Sequence, residues 1–347
     1  MTDLETGVEN QPAESVDSAI LVVGPSWVGD LVMAQSFFIA LKQQQPNVAI
    51  DVLASGWLIP LLARMPQIRS GIENPLKHGQ LGLVDRRRLG KKLNGHYQRA
   101  YLLPNSFKSA MIPFWAGINQ RIGYAAELRS GLLTESRKLD KKVLTRTVER
   151  FVALAYQPGE GLPEIALPRL PVNPVEQQAT LKKLGFSGEL PPVLALCPGA
   201  EYGPAKRWPV EHFAQVARDK LAQGWQVWIF GSAKDRPVAQ QINDLTSGQC
   251  KNLAGTTSLA EACDLLALAA AVVTNDSGLM HVAAALGRRL FCLFGSSDPR
   301  FTPPLSDSAE VFSLDLSCSP CFERECPLGH FRCLNDLLPE QVSVAIG

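Results

Sequence analysis

The sequence contains no long apolar run. Among its 347 residues there is no stretch of 18 or more apolar residues, so no membrane-spanning helix is expected. Aromatic residues make up only 7% of the chain and are not interleaved with the basic clusters. No nucleic-acid-binding motif is present either, so DNA and RNA are poor partners. No GxGxxG follows a strand, which argues against a nicotinamide dehydrogenase, and no Walker loop is present, so any nucleotide must be held without one. The first 18 residues carry five acids (Asp3, Glu5, Glu9, Glu14 and Asp17) and no base. That is the reverse of a secretion signal. The expected location is the cytoplasm, and 1–18 is expected to be a disordered acidic tail.

What is present describes a globular chain. Hydrophobic residues reach 46% and charged residues 19%, and the length suggests two domains of about 150 residues each. The net charge of +1 conceals an asymmetry: residues 20–165 carry 19 bases against 10 acids, and residues 166–347 carry 15 against 18. The basic half suits an anionic ligand or membrane surface, although clusters such as Arg86-Arg87-Arg88 are often only a solvated face.

The chain opens with an apolar strand, Ile20–Val23. The loop Gly24-Pro25-Ser26-Trp27-Val28-Gly29-Asp30 follows, then a helical pattern from Leu31 to Leu41. Strand, glycine loop and helix begin a Rossmann-like half. Asp30 sits at the loop-to-helix junction, where it is either a helix cap or a base at the mouth of a cleft. A second strand, Arg99–Leu103, ends in Pro104-Asn105-Ser106-Phe107-Lys108-Ser109. There Asn105, Ser106 and Lys108 are candidates for phosphate or hydroxyl binding, or the turn is merely structural; Ser26 and Trp27 of the first loop are further binding candidates. Gln157–Pro174 is rich in Pro and Gly and reads as the start of a linker.

The pattern then restarts. Val193–Cys197 is an apolar strand ending in the loop from Pro198 to Pro209, which carries Glu201, Tyr202 and Lys206. Ala271–Val273 is another, running into Thr274-Asn275-Asp276-Ser277-Gly278 and a helix that holds His281. Asp276 or Ser277 can cap that helix, Gly278 allows close approach to its backbone, and its free N–H groups favour an anion. Lys206 is a point charge suited to a diphosphate. Asp276 and Glu201 can accept from sugar hydroxyls. Lys206, the helix dipole and His281 are the groups available to offset a departing diphosphate without a metal. Asp30 would then take a proton from an acceptor hydroxyl, and a displacement with one base inverts the reacting carbon.

Of eight cysteines, Cys197, Cys250, Cys263 and Cys292 fall in apolar elements as small core residues. Cys318, Cys321, Cys326 and Cys333 form C-x2-C-x4-C-x6-C with His330 nearby. That spacing could hold zinc or an iron–sulfur cluster, although the second pair is not in a standard zinc spacing, or the thiols are unlinked or redox-labile; a structural disulfide is disfavoured in the cytoplasm.

Together these four loops, in this order, resemble those of the ADP-heptose:lipopolysaccharide heptosyltransferases, glycosyltransferase family 9. The likeness runs from about Ile20 to Pro304 and is greatest to the members that add the second inner-core heptose. The resemblance implies an α/β chain of GT-B fold, two Rossmann-like doubly wound domains facing across a cleft. It implies an acceptor-binding domain over 19–165, a linker over 166–189, an ADP-heptose-binding domain over 190–335 and a C-terminal tail over 336–347, shorter than the final helix of many relatives. By the same likeness Asp30 falls on the general base, and Glu201, Tyr202, Lys206, Asp276, Ser277, Gly278 and His281 fall on the donor site. The implied reaction is inverting and needs no metal or cofactor. It moves heptose from ADP-L-glycero-D-manno-heptose to heptosyl-Kdo2-lipid A, an anionic lipid A-core acceptor, with peripheral contact at the cytoplasmic face of the inner membrane. The rivals are a sugar-nucleotide epimerase or hydrolase with a similar donor loop, and a non-catalytic binding protein of the same fold.

Overall fold

The computed structural model describes residues 19–76 and 80–347, so the acidic segment 1–18 lies outside the described residues. Two six-stranded sheets organise the chain. The first is built from β1 (Ala19–Val23), β2 (Ala49–Ser55), β3 (Ser70–Asn74), β4 (Arg99–Leu102), β5 (Gln120–Tyr124) and β6 (Glu135–Arg137). The second is built from β7 (Val193–Cys197), β8 (Gln226–Ile229), β9 (Lys251–Asn252), β10 (Ala271–Asn275), β11 (Leu290–Leu293) and β12 (Ala309–Phe312). The strand orders are β3-β2-β1-β4-β5-β6 and β12-β11-β10-β7-β8-β9, and every paired strand is parallel. Each sheet therefore reverses its winding once, between β1 and β4 in the first and between β7 and β10 in the second. Such switch points leave a crevice beyond the strands' C-terminal ends, where ligands of open α/β sheets bind.

The central strands are apolar on both faces because helices cover both sides. AILVV of β1 and VLALC of β7 are buried throughout. The edge strands β3, β6 and β9 read SGIEN, ESR and KN, which carry little apolar signal.

The helix Val28–Gln44 is the joint between the two halves. Every residue from Leu31 to Phe38 is buried, as are Ala40 and Leu41. A helix covered only by its own sheet keeps a wet face; this one also packs on the helix Gly278–Ala285 of the second half, and one apolar core runs through both. Its two buried polar residues hold the crossing chain. Gln35 donates to the Arg169 carbonyl at 2.8 Å and accepts from the Arg169 N–H at 2.9 Å, and Ser36 donates to the Ala166 carbonyl at 2.7 Å. Beyond this strap lies a helix, Pro174–Lys183, capped by the Asn173 side chain. A buried ion pair, Arg64 to Asp264 at 2.7 Å, ties the halves together again.

The last helix, Pro339–Ile346, buries Val342 and Ile346 with Val216 and Ala217 of the helix Val210–Ala222. Among the described residues no helix is long and apolar enough to cross a membrane.

Candidate active site

The two switch points face each other across a cleft of about 1290 Å³. From the first half its lining includes Ser26, Trp27 and Asp30, all just beyond β1. From the second it includes Glu201, Tyr202 and Lys206 beyond β7, and Asp276, Ser277, Gly278 and His281 beyond β10. Ten of the residues singled out in the sequence are thus in one place. Asn105, Ser106 and Lys108 are not among the cleft's lining residues. Arg129 explains part of this. It is fully buried and donates to the carbonyls of Pro104 and Tyr124, to Ser109 Oγ at 3.0 Å and to Asn105 Oδ1 at 3.2 Å. Asn105 Oδ1 and Ser109 Oγ of this turn are thus engaged within the first half.

The helix bearing Asp30 begins at Val28, with Trp27 as its N-cap and no side-chain cap bond. The sequence pattern starts the helix three residues later because apolar periodicity begins only at Leu31. Asp30 is accordingly inside the first turn and not a cap, a position that favours an anion. Its carboxylate makes no hydrogen bond to any described residue. Burial pushes its pKa up to about 6, with the Lys206 charge pulling it down and the Asp276 charge pushing it up. Asp30 of one half therefore lies within electrostatic reach of Lys206 and Asp276 of the other.

Lys206 Nζ sits 2.5 Å from Asp276 Oδ2, with little of either side chain exposed, and 5.2 Å from the Tyr202 ring. The Lys206 loop is fixed from below by Asn275, buried at the end of β10. Its Nδ2 donates to the Pro198 carbonyl at 2.7 Å and its Oδ1 accepts from the Trp208 N–H at 3.1 Å. Sequence reasoning gave Asn275 no role; the one signal was an amide ending an otherwise apolar strand. Glu201 is engaged by Lys234, which also lines the cleft. The loop beyond β8 was missed as well. There Asp235 Oδ2 accepts from the Ser232 N–H at 2.8 Å and Ser232 Oγ at 2.7 Å, and only the Gly231-Ser232 pair closing that strand marked it in advance.

Ser277 is the N-cap of the helix Gly278–Ala285 and makes no side-chain cap bond, so the helix's first N–H groups face the cleft unclaimed by it. His281 is buried, and burial drives its pKa down to about 4. It is a neutral imidazole near pH 7 and supplies no positive charge, which leaves Lys206 as the cation beside Asp276. The two helix starts meet with a glycine on one side of each contact and a side chain of the other helix against it. A Cβ on Gly29 would lie 2.6 Å from His281 Cδ2, and one on Gly278 would lie 2.8 Å from Val28 Cβ. Neither glycine needs an unusual backbone angle; each is required by this close approach.

Comparison with known proteins bears on the family and the fold. The family model described as glycosyltransferase family 9 (heptosyltransferase) matches residues 86–332. The lipopolysaccharide heptosyltransferase 2 of Escherichia coli (strain K12) is 46% identical over 334 residues, covering 93% of this chain and 96% of that protein. The lipooligosaccharide heptosyltransferase 2 of Haemophilus influenzae is 49% identical over 308 residues, covering 85% and 88%. The solved structure of the E. coli ADP-heptose lps heptosyltransferase II superposes with a TM-score of 0.84 at 43% identity, covering 94% of this chain and 98% of that one.

Proposed function

Since the chain belongs to glycosyltransferase family 9, the heptosyltransferases, and shares their GT-B fold, we propose that it adds the second inner-core heptose in lipopolysaccharide assembly. That it is a glycosyltransferase of heptose transfer in core biosynthesis follows from the family and its near relatives. The finer reading is transfer from ADP-L-glycero-D-manno-heptose to heptosyl-Kdo2-lipid A, with inversion and without a catalytic metal. The first half takes the acceptor and the second the donor.

The observation that carries this reading is the juxtaposition of Asp30 with Lys206 and Asp276 across one cleft. A donor diphosphate lies against the N-terminus of the helix Gly278–Ala285, within reach of Lys206. Lys206 leaves Asp276 in part to meet the growing charge of the departing ADP. Asp276, released, accepts from a sugar hydroxyl. Asp30, with a pKa near 6, is ionised at neutral pH yet basic enough to take the acceptor hydroxyl's proton as the carbon–oxygen bond forms on the opposite face of the heptose. Ser26 and Trp27, both exposed beside Asp30, hold the acceptor, and Asn105, Ser106 and Lys108 extend that side at the end of β4.

The same half presents a face suited to an anionic bilayer. Leu81, Leu83 and Val84 are exposed beside the exposed bases Arg87, Arg88, Lys91 and Lys92 of the helix Leu83–Lys92. Peripheral attachment at the cytoplasmic face of the inner membrane combines that apolar ridge with attraction of the basic side chains to anionic headgroups.

The deciding experiment is a transfer assay with purified protein, ADP-heptose and either Kdo2-lipid A or its monoheptosylated form. Transfer to the monoheptosylated acceptor alone is expected, at equal rates in EDTA and with added Mg²⁺. Transfer to Kdo2-lipid A would make this enzyme one that adds the first heptose. A rate restored only by Mg²⁺ would overturn metal independence, and product of retained configuration by NMR would overturn the single displacement.

A further inference from the structure

Between the end of β12 at Phe312 and a short helix at Arg332–Asn335, the 19 residues 313–331 form neither helix nor strand. Irregular segments of this length inside a compact domain are uncommon unless something fixes them. This one also holds three non-glycine residues at positive φ, Asp315 at 41°, Phe322 at 59° and Phe331 at 51°, which costs free energy that other contacts must offset. Apolar burial offers little, since Phe322 and Leu328 are largely exposed. The segment and the helix after it instead bring Cys318, Cys321, Cys326 and Cys333 together around a single cavity of about 20 Å³, room for one atom. All four are free thiols.

Two further observations point to an occupant. Ser296, also in the cavity lining, is 1% exposed, and its hydroxyl has no hydrogen-bond partner among the described residues. Buried hydroxyls are rarely left unpaired, and an outer-sphere bond to a metal-bound sulfur is a common use for one. The Phe331 N–H donates to Cys326 Sγ at 3.4 Å. Backbone amides turned on a sulfur favour its thiolate, the form that binds metal.

We propose that Cys318, Cys321, Cys326 and Cys333 bind one thiophilic divalent cation, zinc or iron, in a tetrahedral four-sulfur site that fixes this segment against the donor loop. The candidate cation site is empty, and among the described residues no three His, Cys, Asp or Glu side chains already stand in metal-holding geometry. A tetrahedral four-sulfur site needs metal–sulfur bonds of about 2.3 Å, so the four side chains must close from the cavity wall onto the ion. Binding converts four thiols to thiolates and releases four protons to solvent, leaving a site of net charge −2 with Arg324 and Arg332 on the same segment. The site is remote from the chemistry yet joined to it. Ala205 N–H donates to the Arg324 carbonyl at 3.0 Å, Tyr202 Oη donates to the Phe322 carbonyl at 2.6 Å, and Ser319 Oγ and the Phe322 N–H hold Gly295 and Ser296. The ion thus acts as a staple beneath Tyr202 and Lys206 and takes no part in the transfer.

The test uses full-length protein purified without chelators or nickel affinity, assayed without substrates so that its outcome is independent of the enzymatic reading. Elemental analysis is expected to find about one equivalent of zinc or iron per chain and so to distinguish the two. After removal and reloading with Co²⁺, intense sulfur-to-cobalt absorption with tetrahedral d–d bands is expected. Cys321→Ser and Cys326→Ser should each lower metal content at least tenfold, and His330→Ala should not. If the serine variants fail to fold, titrating the native protein's thiols with an organomercurial should release one metal per four thiols. Less than a tenth of an equivalent of metal together with no cobalt spectrum would overturn the proposal. So would disulfides among these cysteines in the native protein, or metal lost in His330→Ala but kept in Cys318→Ser.

Discussion

Replacing Asp30 by Asn should abolish most turnover and at the same time make the protein more stable. The side chain is desolvated and unbonded, and its pKa is lifted from 3.8 to about 6. Converted through linkage, that shift is an upper bound of about 3 kcal/mol set against the folded state when the carboxylate is ionised. The folded-state pKa is raised, so the stability belonging to the neutral carboxyl is complete below pH 3.8 and is lost as pH rises through about 6. The Asn variant should therefore match the parent below pH 3.8, gain on it between about pH 4 and 6, and keep a constant advantage above. Denaturant unfolding of both proteins at several pH values reads this difference directly. Turnover in the same preparations should fall by about 10²–10⁴-fold, the usual worth of a positioned base, while ADP-heptose affinity stays within a few-fold. An advantage that does not grow between pH 4 and 6 would refute the desolvation argument, and near-normal turnover would remove Asp30 as the base.

Four other outcomes are expected. The acid limb of kcat/KM should fall near pH 6, well above an ordinary aspartate, and in Lys206→Ala it should move higher because the lysine's charge now holds it down; a limb that stays put would break the electrostatic link. Lys206→Ala should also weaken ADP binding by calorimetry about 10–100-fold, the range for one charge-assisted hydrogen bond, and unchanged affinity would count against its diphosphate role. Gly29→Ala forces a methyl to 2.6 Å from the His281 ring and should cost about 1–3 kcal/mol of stability. Adding His281→Ala should recover part of that loss, and simple additivity would mean the contact is not what the alanine disturbs. Arg64→Met strands the buried Asp264 carboxylate and should destabilise the protein by about 3–5 kcal/mol, read by urea unfolding.

The central strands were legible because parallel strands covered on both faces are written as uninterrupted apolar runs. The edge strands were not: SGIEN and ESR have no apolar pattern, and their conformation comes from the neighbour they pair with. The loops beyond β1, β7 and β10 could be read as site candidates because Gly, Asp, Ser and Lys gathered at strand ends. Their meeting could not, since it depends on how the helix Val28–Gln44 packs against the other half. A clue was in the sequence, where LVMAQSFFIAL offers only Gln35 and Ser36 as polar residues, too few for a helix with a wet face. The turn at Asn105 stays open between a ligand site and a structural turn. Its residues suit a ligand as well as a buried arginine, and composition does not distinguish the two.

The close contacts of Gly29 with His281 and of Gly278 with Val28 also bear on how the cleft can change width. Two rigid bodies that keep one point in touch can only turn about it, and displacement then grows with distance from that point. Asp30 is the residue after Gly29, and Asp276, Lys206's partner, lies two residues before Gly278, so these groups sit almost on the axis. An opening of the two halves that preserves this contact swings the rim apart while hardly altering the separation of Asp30, Lys206 and Asp276. The proposed lipid A-core acceptor would thus be admitted at the mouth with the geometry kept nearly constant at the root.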